Sequence, residues 1–238
     1  MTDLFGRAVA DRYHGRMDEP LYVRDGDESR AHPIQAFYLD PFDPDADAGA
    51  WLASWVRGPL VDLGAGAGRH ALVFQERVET VALEASEPLV ALLRERGVDD
   101  ARLGDMFALR DAFDRDQFGS ALVVGTQLGL AGSLQGVRTF LGDLAHVTDS
   151  EATGVVDSYD PDHDAAPDLL GYRADPTPGL AHRVFHFAHG GAVSETLLFR
   201  LFSPDRLREA TAGTGWTVAD VRRGDRETAY YRAALEKR

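Results

Sequence analysis

Residues 59–75, PLVDLGAGAGRHALVFQ, set glycines at 64, 66 and 68 between a short apolar run and a segment with helical spacing. A side chain at Gly64 or Gly66 would fill the space of a bound group or force an unfavourable backbone angle. The two intervening residues, Ala65 and Ala67, keep the whole loop thin. In an open α/β sheet the exit of the first strand is where the backbone lets a ligand approach. The loop therefore demands strands and helices in alternation around it.

The chain supplies them. AGAWLASWVRG reads as a helix, GPLVDL as a strand, GRHALVFQER as a helix, VETVALE as a strand and SEPLVALLRERG as a helix opened by Ser86 and stopped by Gly97. DARLG, SALVVGT and TGVVDSY continue as strands, with the helix LQGVRTFLGDLAHV before the last of these. Such alternation predicts an α/β fold, a parallel sheet with helices on both faces. The ending differs: HRVFHFAHGGAVSETLLFRLF alternates apolar and polar residues around His-Gly-Gly-Ala, which predicts an inserted β-hairpin at about 181–202. A helix capped by Ser203 and Pro204 follows, then strands WTVADVRR and TAYYRAALEK as an antiparallel finish.

Before the main domain, 48–238, the acidic and proline-containing DPFDPDADAG marks a connector, and residues 1–47 form an arm. The arm holds a helix-like DLFGRAVADRYHG and a turn-rich YVRDGDESRAHP. Its Tyr13, Tyr22, Phe37 and Tyr38 exceed what a disordered tail needs.

Composition narrows the chemistry. No cysteine is present, which excludes thiol nucleophiles, disulfides and Cys-based zinc sites. Thirty-nine acids face 25 bases, for a net charge of -14, and Lys237 is the sole lysine. An acid-rich, lysine-poor surface predicts adaptation to high salt, and the lack of a basic stripe predicts that nucleic acid is not a partner. Absence of a long apolar segment or signal-like start predicts a cytoplasmic protein without membrane attachment.

Acids stand at the next strand tips. Glu84 ends the second strand, able to accept from both hydroxyls of a ribose, and Asp105 follows the third, with Met106 beside it for packing on a flat heterocycle. VDLGAGAGRHAL, VALEASEPLV and GDMFAL together resemble the signature of class I S-adenosylmethionine-dependent methyltransferases. The resemblance spans roughly 59–159 and the terminal hairpin, and implies a single Rossmann-like doubly wound domain whose mostly parallel sheet has seven strands. It implies that Asp62, Gly64, Ala65, Gly66 and Gly68 hold the methionine end of S-adenosylmethionine. Glu84 and Ala85 would take the ribose, Asp105 and Met106 the adenine, and Thr126 and Gln127 the neighbourhood of the methyl group.

Two alternatives remain open. Gly66 to Ala71 matches a dinucleotide fingerprint, which would suit an NAD(P)-dependent oxidoreductase, although Asp62 stands where those folds carry an apolar residue. A module that binds S-adenosylmethionine without catalysis is the other. A Walker-type phosphate loop is excluded, since no Gly-Lys-Ser/Thr exists.

Methyl transfer is an in-line displacement that chiefly needs an aligned acceptor, so a general base is optional. The catalytic candidates are Tyr159 and His163, and the substrate-binding candidates Tyr22, Arg24, Tyr159 and His186, with Asp160 and His182 near the expected mouth. His182 and His186 share a strand face without a third partner, so no metal is expected. GTQLGL after the fourth strand lacks the Pro-Pro-aromatic turn of base-amino methyltransferases, and an arm closing as a lid points to a small-molecule acceptor.

Overall fold

Strands buried on both faces read as continuous apolar runs, and the structure, a computed structural model describing residues 3–225 and 227–238, builds its main sheet from such runs. The arm comes first: helix α1 (Leu4–Tyr13), strands β1 (Tyr22–Asp25) and β2 (Glu28–Ala31), and a wide helical turn over Gln35–Leu39. Then follow α2 (Asp47–Ser54), β3 (Leu60–Leu63), α3 (Ala71–Phe74), β4 (Thr80–Glu84), α4 (Glu87–Glu95), β5 (Ala101–Leu103) and α5 (Leu109–Ala112). Strand β6 (Phe118–Val123), helix α6 (Leu134–Val147) and strand β7 (Thr148–Tyr159) complete the alternation. The insertion supplies β8 (Tyr172–Ala174), β9 (Leu180–His189), β10 (Ala192–Val193) and β11 (Leu197–Phe202). Helix α7 (Pro204–Thr211) and strands β12 (Trp216–Arg223) and β13 (Tyr230–Lys237) end the chain.

The seven-stranded sheet runs β12-β13-β7-β6-β3-β4-β5. Strands β7, β6, β3, β4 and β5 are parallel, whereas β13 is antiparallel to both β7 and β12. This is the Rossmann-like doubly wound arrangement with the expected antiparallel finish. Helix ends follow local chemistry: Ser86, Ser133 and Ser203 each accept a backbone N–H of the first turn, and Gly97 turns away at φ +90° after α4. Val137, Phe140, Leu141 and Leu144 of α6 pack with Leu207 of α7 and the sheet residues Val61, Leu83 and Val123 in the main core.

Three local outcomes differ from the sequence reading. The arm's turn-rich stretch is a β-hairpin, with Gly26 at φ +56° in its bend. Regular helix after the glycine loop is confined to Ala71–Phe74. The strand expected to reach Thr126 stops at Val123, because Gly125 (φ +96°) and Thr126 (φ +61°) take left-handed backbone that no strand can hold.

Strand β9 organises a second sheet. It pairs antiparallel with β1, β10, β11 and β8, and β2 extends it through β1. The arm is thus knitted to the insertion. Leu21, Val23, Ile34 and Leu39 of the arm share a core with Phe185 and Phe187 of β9, Leu89 and Leu92 of α4, and Ala67 of the glycine loop.

Candidate active site

The glycine loop leaves β3 with both Gly64 N and Ala65 N donating to Leu83 O, at 2.9 and 3.2 Å. Gly64, Gly66 and Gly68 all have positive φ, at +70°, +59° and +82°. Close approach matters differently at each. A Cβ on Gly64 would stand 2.9 Å from the Gln127 side chain, and one on Gly66 3.4 Å from the Tyr38 ring. On Gly68 it would strike Leu93 at 2.7 Å, so that glycine serves helix packing.

Two acids lie behind the loop. Glu84 Oε2 accepts from Gly66 N at 2.9 Å and Oε1 from Ser86 N at 3.0 Å. Burial pushes its carboxyl upward against the opposing pull of these N–H groups and that of Ala85. Asp62 is 2% exposed, and its Oδ2 has no hydrogen-bond partner. Burial first, and the Glu84 charge second, push Asp62 up to about 7.

At the third strand tip Asp105 is exposed, with Oδ1 accepting from Phe107 N at 2.9 Å. Met106 is buried within the main core. Thr126 and Gln127 form the turn after β6, and a residue absent from the sequence reading holds that turn. Asp157, fully buried on β7, accepts from Gly125 N (2.8 Å), Thr126 N (2.5 Å) and Tyr230 Oη (2.6 Å). Arg232 Nε donates in turn to Tyr230 Oη at 3.0 Å. The available signal was a carboxylate inside the apolar strand VVDSY, the same anomaly that marks Asp62 in LVDL.

The arm brings two more unforeseen residues. Tyr38 lies over Gly66, with its hydroxyl 3.3 Å from His32 Nε2. Burial, chiefly, and the Arg183 charge push His32 down to about 4, so its imidazole is neutral, while burial pushes the Tyr38 phenol far up. Phe5 and Phe187 stack at 4.9 Å beside them.

Strand parity sorts the substrate candidates. Arg24 pairs opposite His186 and Tyr22 opposite Ala188, so Tyr22, Arg24 and His186 share one face of the second sheet. Val23 pairs opposite Phe187 on the other face, which packs on α4 and the glycine loop. Arg183, two residues from Phe185, belongs to that inner face. Tyr159, at the end of β7, meets the Tyr230 ring at 5.7 Å, and burial raises its phenol.

The remaining candidates have partners of their own. His163 accepts from Ala165 N at 3.1 Å in the turn after β7, lining a surface hollow with Asp162, Asp164 and Asp168. Asp160 is buried against Arg223 at 2.6 Å. His182 contacts Arg200, which pairs with Asp175 at 2.9 Å. Among the described residues no group of three His, Asp or Glu side chains has metal-holding geometry, and no helix is long and apolar enough to cross a membrane.

No family model and no curated protein matches the chain. Solved structures do. A SAM-dependent methyltransferase from Bacteroides fragilis, crystallised with S-adenosyl-L-homocysteine, aligns with 98% of this chain and 93% of its own at 22% identity and a TM-score of 0.76. The CcbJ methyltransferase from Streptomyces caelestis aligns over 86% of this chain and 94% of its own, at 18% identity and a TM-score of 0.63. The 1,6-didemethyltoxoflavin-N1-methyltransferase of Burkholderia thailandensis, solved with 1,6-didemethyltoxoflavin and S-adenosylhomocysteine, aligns over 75% and 70% at 20% identity and a TM-score of 0.53. Together with the strand order and the placement of the glycine loop, these likenesses give the chain the fold of the S-adenosylmethionine-dependent methyltransferases.

Proposed function

We propose that this protein is an S-adenosylmethionine-dependent methyltransferase acting on a small-molecule acceptor by in-line displacement. The observation that carries the reading is the pair of acids behind the glycine loop: Glu84 at 2.9 Å from Gly66 N, and Asp62 with a buried, unpartnered oxygen. An orphaned buried carboxylate oxygen fits the ammonium of the cofactor's methionine end. Glu84 keeps lone pairs for ribose hydroxyls, and Asp105 is exposed at the neighbouring tip for an adenine amino group.

When bound, S-adenosylmethionine supplies a methyl group on a cationic sulfur. The chain's own residues hold, orient and exclude water. Asp62, Gly64, Gly66 and Glu84 grip one side, while the Thr126–Gln127 turn, fixed by Asp157, borders the transfer path. Alignment of an acceptor at about 3 to 3.5 Å supplies most of the acceleration in such a displacement. The arm, through Tyr38, and the inner face of the second sheet keep water out. Tyr159, at the end of β7 with its phenol raised by burial, is suited to donating a hydrogen bond and not to acting as a base. The contacts that support this reading come neither from Tyr22, Arg24 and His186, on the other face of the second sheet, nor from His163, in the turn after β7.

The small size of the acceptor is supported by this enclosure and by the small molecule held in the Burkholderia thailandensis neighbour. Titration calorimetry with S-adenosylhomocysteine, in dilute buffer and in molar salt, should show one site. Labelled methyl groups should then pass to compounds in a metabolite extract. Absence of binding in both buffers refutes the reading; binding without transfer leaves a non-catalytic module.

A further inference from the structure

A charge that leaves water needs an opposite charge or a full set of hydrogen bonds. Arg183, partly buried on the inner face of β9, has an incomplete set. Its Nε donates to Leu170 O at 3.0 Å, and its guanidinium lies 4.6 Å over the Phe185 ring. Among the described residues it forms no ion pair, in a chain where acids outnumber bases 39 to 25. The contrast with other cations around the cleft is direct. Arg96 is satisfied by three carbonyls, Arg232 donates to the Tyr230 hydroxyl that is itself bonded to Asp157, and Arg69 donates to the Asp40 carbonyl. In the ladder of β9 and β11, Arg183 stands opposite Phe199, and a Cβ on Gly129, two residues beyond Gln127, would meet Phe199 at 3.3 Å.

That register locates Arg183. Phe185 and Phe187 of the same strand face share a core with Ala67, so this side of the second sheet roofs the glycine loop and the turn after β6. We infer that Arg183 recognises a carboxylate on a molecule enclosed under this roof. The guanidinium fork matches a carboxylate in two parallel hydrogen bonds, and its position over Phe185 limits the rotamer freedom lost on pairing. This assignment rests on the methyltransferase reading for its location. The carboxylate has two sources, the amino-acid end of the methyl donor or the acceptor itself, and the same chemistry serves either.

Calorimetry on the full chain separates them. The native protein, Arg183→Gln and Arg183→Lys are titrated with S-adenosylhomocysteine, with 5′-methylthioadenosine, which lacks the amino-acid end, and with benzoate before and after saturation by S-adenosylhomocysteine. If the donor's carboxylate is the partner, Arg183→Gln binds S-adenosylhomocysteine roughly tenfold or more weakly and 5′-methylthioadenosine unchanged. If the acceptor's carboxylate is the partner, both adenosyl compounds bind Arg183→Gln normally, and benzoate binds the native protein but not the variant. Arg183→Lys keeps the charge without the fork and should fall between. Arg183→Gln binding all three probes like the native protein overturns the inference while leaving the methyl-donor reading intact. Failure of the native protein to bind either adenosyl compound overturns that reading, and Arg183-dependent binding of benzoate would still sustain the anion site.

Discussion

Asp62 shows how one residue can link stability to ligand binding. Its carboxyl ionises near 3.8 in an unfolded chain and near 7 in the folded protein, because burial and Glu84 disfavour the charge. Between those values the folded state holds the extra proton. Its contribution to stability is therefore fully present below the lower value and lost as pH rises through the higher one. Urea midpoints should fall across this window in the native protein, and fall less in Asp62→Asn, which keeps the shape and removes the titration. Ligand binding has the opposite sign. A cationic ammonium favours ionised Asp62, so S-adenosylhomocysteine should bind more tightly as pH passes about 7, with release of a proton. Calorimetry in buffers of different ionisation enthalpy reads that proton directly; an unchanged proton count in Asp62→Asn would show that another group releases it.

Among the elements, the turn after β6 has the clearest division of labour. Thr126 is β-branched and left-handed at φ +61°, a conformation that costs about 1–2 kcal/mol. Asp157 compensates by receiving two backbone N–H groups of the turn and the Tyr230 hydroxyl. Asp157→Asn offers one oxygen for three donors and should lower stability by about 1–3 kcal/mol, while Tyr230→Phe removes one donor and should cost about 1 kcal/mol. Urea unfolding of the two variants checks the order. Strands, capped helices and the acids at strand tips were legible because each is a local pattern: apolar runs, a serine before a periodic segment, a charge where none is expected. The α6 span Leu134–Val147 and the β12 span Trp216–Arg223 stand where their patterns put them. Illegible were the features set by pairing across the chain. Which face of β9 looks inward depends on its register with β1, and moving one residue along exchanges His186 for Phe187. Tyr38 reaches Gly66, with His32 at its hydroxyl, from an arm whose hairpin joins that strand.

For the molecule as a whole, the arm is a structural layer and not a detachable flap. Arg96, at the end of α4, donates to Tyr38 O (3.1 Å), Leu39 O (3.1 Å) and Ala67 O (2.6 Å), so one guanidinium joins the arm to the glycine loop. Asp3 bonds to Ser86 at the other end of α4, and β1 pairs with β9. Deleting residues 1–40 would strip Leu21, Val23, Ile34 and Leu39 from a core that also contains Leu89 and Phe187. A milder perturbation isolates the coupling. Arg96→Ala leaves three carbonyls without their donor but keeps every strand, so it should loosen the arm before it unfolds the sheet. Limited proteolysis should then cut the acidic connector around 40–47 faster in the variant than in the native chain. Because Tyr38 lies against Gly66, a ligand gripped by the loop should also restrain the arm, and S-adenosylhomocysteine should slow cleavage in both. Equal cleavage rates in native and variant protein, with no protection by ligand, would mean that closure of the site and order in the arm are independent.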